Sequence, residues 1–68
     1  MNKRDTLHDE WHRLAGDAMS ATLDAMKAHL EGNPDMPTLR GIAHDAVTRA
    51  REAEARYQQA CEEERRQG

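Results

Sequence analysis

Gly32-Asn33-Pro34-Asp35-Met36-Pro37 is the stretch that decides how this chain folds. Glycine is the residue that most readily takes the left-handed conformation ending a helix, and a proline soon after prevents the helix from resuming. Asp35 can cap a new helix, and Pro37 suits its first turn, where the missing N–H costs no hydrogen bond. The link is so short that the helices on either side must lie as antiparallel neighbours.

Two apolar stripes run outward from this turn. On one side stand Leu7, Trp11, Leu14, Ala18, Ala21, Ala25 and Ala28; on the other, Leu39, Ala43, Ala46, Ala50, Ala53, Tyr57 and Ala60. Both step by threes and fours, which keeps each stripe on one side of an α-helix. Folding the chain at Asn33-Pro34 pairs Trp11 with Tyr57, Leu14 with Ala53, Ala18 with Ala50, Ala21 with Ala46, Ala25 with Ala43 and Ala28 with Leu39. The residue numbers in each pair total 67 or 68, so a single register satisfies both stripes. The expected fold is all-α, an antiparallel two-helix hairpin with an alanine-rich seam. Alanine at the contact lets the helices approach to the short end of the ~8–10 Å range of interaxial distances.

The whole chain, 1–68, reads as one domain. Asp5 or Thr6 is the expected cap of a first helix over about 6–31, followed by a turn at 32–36 and a second helix over about 37–63. The polar tail 64–68 has no apolar anchor and is expected to fray, as are residues 1–4. Gly16 lies inside the first helix, either admitting a close helix approach or merely tolerated.

Not all apolar residues fall on the seam. Met19, Leu23, Met26 and Leu30 step by four, three and four along a flank of the first helix, and Ile42 and Val47 widen the arc of the second on opposite flanks. An apolar arc this broad is too wide for one partner helix. These six residues are the expected partner-binding set. Large apolar side chains are also too few to stabilise a lone hairpin of this size. A second chain is therefore expected: a homodimer forming a four-helix bundle, one protein partner, or both. Such close antiparallel packing resembles the small plasmid copy-control hairpins that dimerise into four-helix bundles. The resemblance is one of architecture, without the motif of their RNA-binding face.

Charge argues against nucleic acid. The net charge is −3; residues 1–32 hold four basic and six acidic groups, residues 33–68 six and seven. The arginines of the second helix are spread around its cylinder rather than along one strip, so no nucleic-acid partner is expected. No apolar run approaches the ~20 residues of a membrane span. The polar start Met1-Asn2-Lys3-Arg4-Asp5 does not lead into a signal-peptide core. The expected compartment is the cytoplasm.

Chemistry is sparse. His8-Asp9-Glu10-Trp11-His12 carries two histidines at helical spacing, but glutamate does not follow the first histidine as the zinc-peptidase pattern requires. The single cysteine, Cys61, excludes an internal disulfide. The register brings it opposite Leu7, so His8, His12 and Cys61 are the weak candidates for a metal site, which would make the chain a small metal-binding bundle. No serine–histidine–acid set or glycine-rich phosphate loop exists. A thin hairpin offers no concave pocket of its own, so no catalytic residue, cofactor or small-molecule substrate is expected. The function read from the sequence is non-enzymatic: a small regulator, inhibitor or adaptor acting through an apolar helical face. The alternative is a secretion-type chaperone or subunit that is stable only in a heterocomplex.

Overall fold

The computed structural model describes residues 2–67. Two helices, α1 (Lys3–Glu31) and α2 (Met36–Gln67), pack side by side. The molecule measures 53 × 16 × 13 Å. An unbroken helix over the described residues would reach about 100 Å at 1.5 Å per residue, so the chain doubles back, at the place where the turn chemistry predicts it.

Gly32 ends α1 in the left-handed region, with φ 67° and ψ 31°. Its N–H reaches the carbonyls of Ala28 and His29, and the Asn33 N–H donates to the Ala28 carbonyl at 2.9 Å. This is the glycine-terminated helix end in which two otherwise orphaned carbonyls are satisfied. The Asn33 side chain then accepts the Asp35 N–H at 2.8 Å, and the Asp35 carbonyl accepts the Leu39 N–H at 3.0 Å, the first bond of α2. Pro37 falls in the first turn of α2, where no bond is lost.

The helix ends differ from expectation. α1 begins at Lys3, capped by Asn2 rather than by Asp5 or Thr6. The Asn2 backbone is extended and its side-chain oxygen accepts the Arg4 N–H at 3.0 Å. Asparagine caps as well as aspartate, and the Thr6 hydroxyl instead donates to the Asn2 carbonyl one turn back. α2 begins at Met36 and runs to Gln67, so 64–67 are helical rather than a loose tail. One contact set links the two extensions. Glu64 receives Arg4 at 3.0 Å and the Asn2 amide at 3.2 Å. Met1 and Gly68 lie outside the described residues.

The register is observed directly. Trp11 stacks on Tyr57 with ring centroids 5.5 Å apart and planes inclined by 27°, and Arg56 meets Glu10 at 3.2 Å. Every seam residue is buried or half-buried. Among the described residues the buried ones are Ala18, Ala28, Ala43, Ala50, Ala53 and Ala60, all alanine. Leu7, Leu14 and Leu39 are only half-buried. The hairpin thus gains closeness from its seam but encloses no large side chain among the described residues.

Gly16 is exposed and has open space where a Cβ would stand, so it mediates no close approach. Gly16→Ala is expected to raise stability by about 1 kcal/mol, the helix-propensity difference. Gly32→Ala is expected to lower it by ~1–2 kcal/mol, because a Cβ is strained in the left-handed region even where space is free. Urea unfolding followed by circular dichroism should move in opposite directions for the two variants.

Candidate interaction face

The flank stripe of α1 stands uncovered. Met19 is 68%, Leu23 62%, Met26 55% and Leu30 83% exposed. Helical geometry places the four within an arc of about 60° on one side of the alanine seam. Contrary to the expectation that a thin hairpin has no concave pocket of its own, Met26 and Leu30 near the turn face Met36 and Val47 of α2 across a groove of about 680 Å³. Ala25 and Ala43 form its floor, and His29, Arg40, His44 and Arg51 complete its walls with two threonines. Among the described residues no aspartate or glutamate lines it, although the chain carries thirteen.

The six expected partner residues therefore separate. Met26, Leu30 and Val47 line the groove; Met19 and Leu23 prolong the same stripe along α1 beyond it. Ile42 is 54% exposed but takes no part in the groove. Five residues separate it from Val47, about 140° around the helix, which puts it on the opposite flank of the seam. Met36, Arg40 and Arg51 were not among the expected residues. The signal was available: Met36, Arg40, Val47 and Arg51 step by four, seven and four, a spacing that holds one face of a helix.

At the open end an aromatic cluster caps the seam. The His8 and His12 rings lie 4.2 Å apart, and His8 approaches the edge of Trp11 at 6.0 Å and Tyr57 at 5.2 Å. No group of three or more histidine, cysteine or carboxylate side chains among the described residues is placed to hold a metal. The weak candidates His8, His12 and Cys61 thus do not assemble into a ligand set. The histidine rings are taken up in aromatic packing with Trp11 and Tyr57.

The neighbouring Cys61 is the main influence that raises the Tyr57 phenol above its ordinary value of 10.0, helped by desolvation, with Arg4 opposing. The folded chain therefore binds this proton more tightly than the unfolded chain does. Stability is fully present below the ordinary tyrosine value and falls as pH rises through the higher folded value. Tyr57 is the only tyrosine, so tyrosinate absorbance reports it alone. Cys61→Ala should make that absorbance appear at lower pH.

No described helix is long and apolar enough to cross a membrane. No protein-family model matches the chain, and neither curated proteins nor solved structures yield a match.

Proposed function

We propose that this protein is a non-enzymatic interaction module of the cytoplasm, a small regulator, inhibitor or adaptor that works by burying its α1 flank stripe against another helix. The observation that carries this reading is the exposure of Met19, Leu23, Met26 and Leu30 as one unbroken stripe. Soluble chains rarely leave a contiguous apolar patch open unless something docks there. Methionine suits such a surface because its unbranched, polarizable side chain adapts to the shape it meets. Alone in solution, the stripe is covered by a second copy, which completes a four-helix bundle. Sedimentation equilibrium at micromolar concentration tests this: a dimer mass supports self-pairing, and a strict monomer rejects it.

A second reading draws on the seam. Because no buried residue among those described is larger than alanine, the hairpin has little packing to hold it alone, as in a subunit or secretion-type chaperone stable only in a heterocomplex. A sharp cooperative melt as a dimer favours the first reading. A lone chain that melts without cooperativity favours the second.

A further inference from the structure

We infer that the proper occupant of the groove beside the turn is an amphipathic helix of another protein whose apolar stripe is bordered by aspartate or glutamate. This rests on the reading of the α1 flank as an interaction face and names the partner it selects. The groove has an apolar interior, with Met26, Leu30, Met36 and Val47 on facing walls. A helix laid in such a groove anchors through residues at helical spacing. Arg40 and Arg51, both exposed, add fixed positive charge to its walls. Their separation of eleven residues is three helical turns, ~16 Å, so both can border one docked helix. Among the described residues no carboxylate lines the groove to neutralise them, even though the chain as a whole carries net charge −3. That local reversal of sign selects acidic flanks on the occupant and rejects basic ones. A second copy is a poorer fit. In an isologous pair the same patch meets itself, and this patch brings no carboxylate to pair with Arg40 and Arg51.

The test uses the full chain and three fluorescent helical peptides that share one leucine and methionine stripe but carry glutamate, glutamine or lysine on its borders. Anisotropy titration should show the glutamate peptide binding about tenfold tighter than the glutamine peptide, the effect of two exposed ion pairs. The gap should close in high salt, and the lysine peptide should bind weakest. In an Arg40→Glu, Arg51→Glu double variant the order should invert, with the far-ultraviolet dichroism of the free chain unchanged. Equal binding of the glutamate and glutamine peptides overturns the inference but leaves the interaction face standing. If no peptide binds and the chain is a dimer, the occupant is a second copy. Binding to phosphatidylglycerol vesicles but to no peptide assigns the groove to a lipid surface and overturns the inference. If no peptide or vesicle binds and the chain is a monomer, the face itself is misread.

Discussion

Ala53→Leu is expected to destabilise the hairpin by ~1–3 kcal/mol, the cost of overfilling a close-packed site. Ala53 is the most enclosed residue described, at 1% exposure. The register sets it against Leu14, so the site already combines one large and one small side chain. A second leucine there has no room unless the helices separate. Separation would loosen Ala18 and Ala50 in the next layer toward the turn and Trp11 on Tyr57 in the next layer toward the open end. The change is therefore felt along the rod rather than at one point. Ala46 is only half-buried, so Ala46→Leu should cost less. Ala55→Leu, on the exposed side of the same helix, should cost nothing measurable, because leucine and alanine are both good helix formers. Urea unfolding of the three variants gives the comparison. If Ala53→Leu falls within 0.5 kcal/mol of Ala55→Leu, the limit expected of ordinary surface changes, the seam is not close-packed.

What could be read from the sequence divides along physical lines. The turn was legible because its chemistry is local: Gly32, Pro34 and Pro37 constrain their own backbone whatever surrounds them. The seam was legible because both helices repeat one period, and a single register then satisfies every pair. The helix ends were less so: the Asn2 cap is local but competed with Asp5 and Thr6 as an equally good signal, and the contact that holds 64–67 in α2 is tertiary. Asn2 and Glu64 meet only after the chain has folded, and neither stands out in a one-dimensional reading. The groove was half legible. The apolar residues announced themselves by spacing, whereas Arg40 and Arg51 were lost among six arginines spread around α2. Only when α1 is set beside α2 does it emerge that these two border an apolar trough. Ile42 was already legible as lying on the opposite flank from Val47, five residues on, but its inclusion among the partner residues did not distinguish the flank that carries the groove. His8, His12 and Cys61 share one end of the rod, but nearness along the register says nothing of how the histidine rings pack on each other and on Trp11 and Tyr57.

That separation of Ile42 from the groove gives the sharpest test of the face. Met26→Asp should abolish association, while Ile42→Asp should leave it unchanged. The two residues are matched: both are large and apolar, and they are 55% and 54% exposed. Neither is part of the alanine seam, so each variant should keep its helical dichroism and lose little stability as an isolated hairpin. They differ in what the face does next. A carboxylate at position 26 must lose its water when a helix covers the groove, and an uncompensated buried charge costs several kcal/mol; about 3 kcal/mol already weakens binding more than a hundredfold. Arg40 and Arg51 could offset part of that cost by pairing with the new carboxylate, but they would then be withdrawn from an acidic partner, so the second effect acts in the same direction. At position 42 the new charge stays in water on the far flank. Met26→Leu supplies the positive control, since swaps of near-equal apolar volume are well tolerated. Sedimentation mass for self-pairing and anisotropy for the glutamate-bordered peptide give two readings of the same three variants. Equal loss in Met26→Asp and Ile42→Asp would mean that the interface wraps both flanks, and retention in Met26→Asp would mean that it lies elsewhere on the hairpin.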